Sequence, residues 1–494
     1  MKCGGLGPKR RKRNCKKKIE PQSVDSTPPI NDSLARNRTS PVRHGQLLDA
    51  PRIAGSSTPP GIVLLVLKMV IEGSVSMRAA SRISGLIWEF LGLHRLDGLS
   101  HATVQNYLLR VGLDQIKAVK DPACTDRVWI VDHMIAAGSL KCFVVLSISA
   151  QSFSQLNRPL EHDDVDVLSL IPTEISNGAV VHAQLQEISR RVGVPLAILS
   201  DCGSDLKKGV KLFQQTFGQT ISLHDMVHLA SRLVWKRLSR GDRFAQYRQA
   251  CCQCANQLRQ SSLAHLKPPR PKTKARYLNV DPEIRWGRRA LWLLDRVRSG
   301  QLNDRQKKCL VLEKVEAQVG WLAGYRRELS VWSELVEVGQ ASCSVVRRWG
   351  YSDQTVGKLT SLLGTSNTLE VQELITELTS VVGQQCARCQ GVGIPLPGSS
   401  EVIESLIGKG KRLLGTSQNN NSLTGQILSI AASTMKFNMT SLLESLQRCR
   451  IGHVQAWIKD HINTAIHVAR REDLTEPSSG TKVAHSKFAT TPTF

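Results

Sequence analysis

The sequence predicts an α/β protein: a mixed sheet core, interrupted by a large all-helical insertion and preceded by a small helix-turn-helix unit. Three observations predict it. Near residue 127 the apolar period changes from the helical 3.6 to short strand-like runs. From there to about 238 the order is strand, strand, strand, helix, strand, helix, strand, helix. Residues 239–395 then return to an almost unbroken helical pattern.

Residues 1–60 read as a disordered basic arm. Nine of the first eighteen residues are lysine or arginine, and a Pro/Ser/Thr/Asn-rich stretch follows. Residues 61–118 read as the helix-turn-helix domain. Val63 to Ile71 is apolar at helical spacing, and Ser76 to Leu91 places Ala79, Ala80, Ile83, Ile87 and Phe90 on one side. After a turn at Gly92 to Gly98, Ser100 caps a helix whose inward stripe is Val104, Leu108 and Val111. His101, Thr103, Gln105 and Asn106 occupy its first turns, with Arg110 further along, as a base-reading helix would require.

The core is expected in two parts, 125–238 and 396–470. Its strands are Arg127 to Val131, ending at Asp132, then Leu140 to Ser149, Val165 to Leu170, Pro195 to Leu199, and Thr220 to Leu223. Its helices are Ala179 to Val192, Asp205 to Phe217 and Met226 to Leu238. In the insertion, Trp286, Trp292, Trp321 and Trp332 are read as packing residues. Residues 471–494 read as a loose tail.

Composition narrows the function. The 494 residues carry 66 lysines and arginines against 41 aspartates and glutamates, a net charge of +25. The expected partner of such an excess is a polyanion, above all DNA. The longest apolar run, Gly61 to Ile71, is interrupted by Lys68 and is about half the ~20 residues a membrane span needs. A secretory leader is not expected, because no apolar segment follows the basic start. Thirteen scattered cysteines fit a reducing compartment. That compartment is the cytoplasm or nucleoid in a bacterium and the nucleus in a eukaryote. The clusters Cys251, Cys252, Cys254 and Cys386, Cys389 are read as packing groups ahead of zinc ligands. No GxxxxGK[ST] loop is present, which disfavours nucleotide hydrolases and kinases.

Three acids stand out by position. Asp132 and Asp201 each follow a short apolar strand, and the element order is that of the ribonuclease-H-like fold, whose first and fourth strands are neighbours. Strands lie about 4.8 Å apart, so carboxylates at their ends can share a cation. Glu404 lies one turn inside a helix started by Ser399 or Ser400, above a buried side of Val402, Ile403, Leu406 and Ile407. Gly408 and Lys411 continue its stripe, the glycine admitting a DNA backbone and the lysine holding a phosphate. Glu401 is the rival third acid, with a role at the helix dipole as its alternative. Such a triad suits two Mg²⁺ ions, with Mn²⁺ able to substitute.

Asp132, Asp201 and Glu404, with a long helical insertion before the glutamate, resemble the triad of DDE-type transposases. Glu404-x6-Lys411 is similar to the glutamate–lysine half of the signature of bacterial cut-and-paste transposases, although Gly398-Ser399-Ser400 replaces its tyrosine and arginine region. Asp225-Met226-Val227-His228 resembles the Cys/Asp-x-x-His motif of Mutator-like and hAT-like transposases, with Asp225 and His228 as a supporting pair. The resemblance spans about 65–470. It implies phosphodiester cleavage and strand transfer, binding to terminal inverted repeats and target DNA, and assembly as a dimer or larger on paired ends. Arg285, Arg288, Arg289, Arg326 and Arg327 of the insertion would meet DNA ends or a second subunit. The rivals are a non-catalytic DNA-binding regulator or domesticated relative, and a structure-specific nuclease on the same core.

Overall fold

A computed structural model describes residues 58–90, 99–118, 124–135, 141–173, 175–201, 203–270, 277–413 and 425–462. The basic arm up to 57, the turn 92–98, the tail 471–494 and the Lys411 side chain lie outside the described residues.

Among the described residues three helices come first: α1 (Pro60–Ile71), α2 (Met77–Phe90) and α3 (His101–Lys117). Ser100 caps α3, its hydroxyl accepting from the Thr103 N–H at 3.1 Å. The stripe of α2 differs from expectation. Ala80, Ser84 and Trp88 face inward while Phe90 is 90% exposed, because α2 turns its i, i+4, i+8 row to its neighbours.

The sheet contains β1 (Arg127–Ile135), β2 (Lys141–Ser149), β3 (Asp166–Thr173), β4 (Ala197–Ser200) and β5 (Ile221–His224), in the order β3-β2-β1-β4-β5. β1 and β2, and β2 and β3, pair antiparallel, whereas β4 runs parallel to β1 and to β5. Between these strands come α4 (Ala150–Gln155), α5 (Gly178–Val192) and α6 (Ser204–Thr216), and α7 (Met226–Leu238) follows β5. β1 runs past Asp132 rather than ending there, since His133, Met134 and Ile135 continue the ladder opposite Phe143, Cys142 and Lys141.

Strand alternation divides the core. Trp129, Val131, Phe143, Val145 and Ile198 pack on α5 and α6. Val128, Ile130, Met134, Val144, Ala197 and Leu199 face the other side. There they share a core with Leu109 and Leu113 of α3, Val227 and Ala230 of α7, and Ile403 and Leu406.

The insertion comprises α8 (Arg243–Leu258), α9 (Tyr277–Arg298), α10 (Asp304–Cys309), α11 (Leu312–Val319), α12 (Arg326–Trp349), α13 (Thr355–Leu363) and α14 (Leu369–Arg388). Phe244, Tyr247, Trp321, Tyr325 and Trp332 interlock at ring separations of 4.9 Å and above. Trp292 is a correction: it is 56% exposed and is not part of that core.

The chain closes with α15 (Glu401–Leu413), α16 (Leu428–Ala432), α17 (Met439–Arg448) and α18 (Ile451–His461). Residues 61–118 do not close on themselves. Their cluster of Val63, Leu67, Val104 and Leu108 is completed by Met435, Phe437, Leu442 and Leu446. The opposite face of α3 belongs to the sheet core. A side chain at Gly112 would come within 1.9 Å of the Leu428 carbonyl oxygen, so glycine permits this close approach of α3 and α16.

Candidate active site

Asp132 and Asp201 follow the same register pair. Val131 lies opposite Ser200 at the end of the parallel β1–β4 ladder; Asp132 comes next on β1, and Asp201 comes directly after β4. Alternation sends Asp132 to the same side as Val128 and Ile130, the side on which α15 packs against β1. Both aspartates are half-buried. Asp132 Oδ1 accepts from the His133 N–H at 2.7 Å. Asp201 Oδ1 accepts from the Gly203 N–H at 2.9 Å, an Asx turn leading into α6.

Glu404 sits in the first turn of α15, half-buried beside the fully buried Ile403. Gly408 has nothing within 4 Å of where a Cβ would stand, leaving that flank of the helix open. Glu401, the rival acid, is taken by an ion pair with Arg347 of α12, with Ser399 Oγ donating to its carboxylate at 3.2 Å. Two carboxylates that follow one register pair suit a hard divalent cation in kind. In number they fall short. Among the described residues no group of three or more His, Cys, Asp or Glu side chains is arranged to hold a metal ion.

Asp225 ties these pieces together. Its carboxylate is 1% exposed and caps α7, accepting from the N–H groups of Val227 (3.2 Å) and His228 (3.3 Å). Its Oδ2 lies 2.5 Å from His228 Nδ1, and its Oδ1 accepts from the Ser400 N–H at 3.1 Å. The Asp225 N–H donates to the Ser200 carbonyl (2.9 Å), and the Met226 N–H to the Gly398 carbonyl (2.9 Å). The residue before Asp201 and the residue starting α15 are thus fastened to one buried group.

His133 turns to the α6 side of the sheet. Its Nε2 lies 3.0 Å from Ser176 Oγ, which donates to Asp205 Oδ2 at 2.7 Å. Burial pushes the His133 imidazole below its ordinary value, against the opposing pull of Asp205. Burial alone would raise the Asp205 carboxyl, but Ser176, the Leu206 N–H, His133 and Lys141 outweigh it and hold it below the usual range.

The expected DNA-reading residues divide. His101 and Asn106 are exposed, and Gln105 is half-buried. The Thr103 hydroxyl sits 2.9 Å from the Ser100 hydroxyl. Arg110 is a correction. Its Nε donates to the Cys449 carbonyl (2.7 Å) and its Nη2 to the Leu446 carbonyl (2.5 Å), so it caps the C-terminal end of α17. In the insertion, Arg285 pairs with Asp281, Arg288 with Glu337 and Arg326 with Asp295, while Arg289 and Arg327 are exposed. Cys251, Cys254, Cys386 and Cys389 are buried. Burial pushes the Cys251 thiol to about 12, Cys254 to about 11 and Cys389 to about 12.

Sequence reasoning missed a cleft of about 1030 Å³ on the other flank of α15, lined by Glu72, His162, Arg347, Ser405, Lys409 and Lys436, among others. His162 Nε2 and Ser405 Oγ are 3.0 Å apart within it. No sequence signal marks it, because its walls come from widely separated stretches.

No family model matches the chain, and no curated protein matches it. Among solved structures it is similar to a chain of the Drosophila P element transposase strand transfer complex. That likeness has 12% identity and a TM-score of 0.32, over 80% of this chain and 95% of that one. It is too distant to carry an argument. No described helix is long and apolar enough to cross a membrane.

Proposed function

We propose that the chain acts on DNA as a DDE-type transposase, with Asp132, Asp201 and Glu404 as its phosphodiester-transfer residues. One observation carries this reading: each aspartate directly follows a member of the Val131–Ser200 pair that closes the parallel β1–β4 ladder, in a sheet of order β3-β2-β1-β4-β5, with the glutamate's helix packed on the first strand. The net charge of +25 fits the substrate.

Asp132 and Asp201 present carboxylate oxygens where the parallel β1–β4 ladder ends. Glu404, on the helix packed against β1, is the third acid of this reading, and Gly408 leaves that flank of the helix open to a DNA backbone. Mg²⁺ ions held by these residues, or Mn²⁺ in their place, would supply activation of the attacking oxygen and stabilisation of the leaving one. Asp225 and His228 position the start of α15. His101, Thr103, Gln105 and Asn106 face the element ends in a helix-turn-helix reading of α2 and α3, with Lys411 at a phosphate. Assembly on paired ends as a dimer or larger belongs to the same reading.

The incomplete ligand group favours a second reading, a DNA-binding protein on the same core without catalysis. Strand nicking and strand transfer, measured with Mg²⁺ on duplexes carrying the DNA that borders the coding region, decide between them. The transposase reading expects both activities, lost in Asp132→Ala and Asp201→Ala. Binding without nicking establishes the second reading. Nicking without joining establishes a nuclease.

A further inference from the structure

Helix α9 presents a face that this chemistry does not use. At about 100° per residue, Arg285, Arg288, Arg289, Trp292 and Arg296 fall within one stripe about 100° wide. The opposite side carries the buried Ile284, Leu291 and Leu294. Trp292 is 56% exposed in the middle of the stripe. The Arg296 guanidinium lies over its ring, 4.9 Å from the centroid, and is steadied by donation from Nε to the Gln301 carbonyl at 2.7 Å.

The charges on the stripe are unevenly matched. Arg285 is answered by Asp281, and Arg288 by Glu337 at 3.2 Å. Arg289 and Arg296 make no ion pair among the described residues. Two uncompensated guanidinium groups therefore flank a wet indole. Tryptophan and arginine also occur together at protein interfaces, but the unmatched positive charge beside this tryptophan favours a polyanion. The complementary partner is a polyanion with an accessible flat π face. Duplex DNA hides its base faces inside the stack, whereas a single strand offers both.

We infer that this stripe of α9 is a platform for single-stranded nucleic acid, with an unpaired base stacked on Trp292 and phosphates held by Arg289 and Arg296. The inference rests on the reading of the chain as a DNA-acting protein and adds where a separated strand lies. Guanidinium groups suit the phosphates because each can donate two parallel hydrogen bonds.

Photocrosslinking tests it. The full chain is irradiated with mixed-sequence single-stranded 12-mers carrying 5-iodouracil, and the tryptic peptides are mapped by mass spectrometry. The expected adduct lies on the peptide spanning 290–296. It disappears in Trp292→Ala and survives in Trp292→Phe. Arg289→Glu with Arg296→Glu weakens single-strand affinity about tenfold and lowers the salt slope by about 1.4. Adducts confined to the basic arm and α3, unchanged in Trp292→Ala, overturn the inference. So does a Trp292→Ala protein that keeps its adducts and affinity but changes oligomeric state on sedimentation. Asp132→Asn separates the two readings. An adduct on 290–296 with no nicking in any variant defeats the catalytic reading alone, and nicking without that adduct defeats the platform alone.

Discussion

Asp225 and Ser400 lie 175 residues apart in the chain and are joined by a 3.1 Å hydrogen bond from the Ser400 N–H to the Asp225 carboxylate. The same carboxylate caps α7 and holds His228, and the Asp225 backbone N–H donates to the strand that leads to Asp201. The end of the sheet and the start of α15 therefore share one buried anchor, with the helical insertion spanning the chain between them.

Replacing that anchor has a defined cost. Asp225→Ala strands several buried donors and removes a helix cap, which lowers stability by about 3 kcal/mol. Asp225→Asn keeps an acceptor for Ser400 but turns a donor toward His228, and loses about half as much. Urea unfolding measures both. An alanine variant as stable as the parent would show that the anchor is not needed.

Asp201→Asn separates turn from chemistry. The asparagine oxygen can still accept from the Gly203 N–H, so stability changes by less than about 0.5 kcal/mol. Nicking is nonetheless expected to vanish. Full activity in this variant would leave Asp201 as a turn former only.

Two glycines give opposite outcomes. A Cβ at Gly112 meets the Leu428 backbone at 1.9 Å, so Gly112→Ala forces α3 and α16 apart and costs about 3 kcal/mol. Gly408 stands in open space, and Gly408→Ala is expected to stabilise α15 by about 0.5 to 1 kcal/mol. If a DNA backbone passes over that glycine, the second variant also binds DNA more weakly. Thermal melts and binding titrations on both proteins check this.

Arg110 is bound to the end of α17. Arg110→Ala leaves two terminal carbonyls without their donor and lowers stability by about 1 to 2 kcal/mol, with DNA affinity unchanged. A variant of normal stability and weakened DNA binding would restore Arg110 to the interface.

Acid should loosen the fold early. Burial holds the imidazoles of His133, His162 and His224 below their ordinary value, so the folded chain resists protons that the unfolded chain accepts near pH 6.5. The stability these groups contribute is complete above that pH and is lost as the pH falls below it toward their folded values. Urea midpoints at pH 7.5, 6.5 and 5.5 should decrease in that order, less steeply in His162→Gln. A flat profile would show that these rings are not protected.

Much of the sheet was legible because alternation is local. Val128 and Ile130 differ in face from Trp129 and Val131 by position alone, and Ser100 announces its helix by residue type. The length of β1 beyond Asp132 was not legible, since it depends on partners in β2. Tryptophan spacing misplaced Trp292, although the arginines on the same helical face were a signal that it points outward. The partners of Arg110 lie 336 and 339 residues away, beyond any window of sequence. The run Val402, Ile403, Leu406 marks a helix that carries Glu404 in its first turn, but how α15 seats on β1 is encoded by no local pattern.

The shared cluster of residues 62–111 and 432–446 sets a timetable for biosynthesis. Once made, the helices of residues 60–117 lack their covering surface until more than three hundred further residues have been added. A product ending ahead of Leu428 would be born with that apolar side bare, fit for chaperones or degradation rather than for use as a truncated competitor.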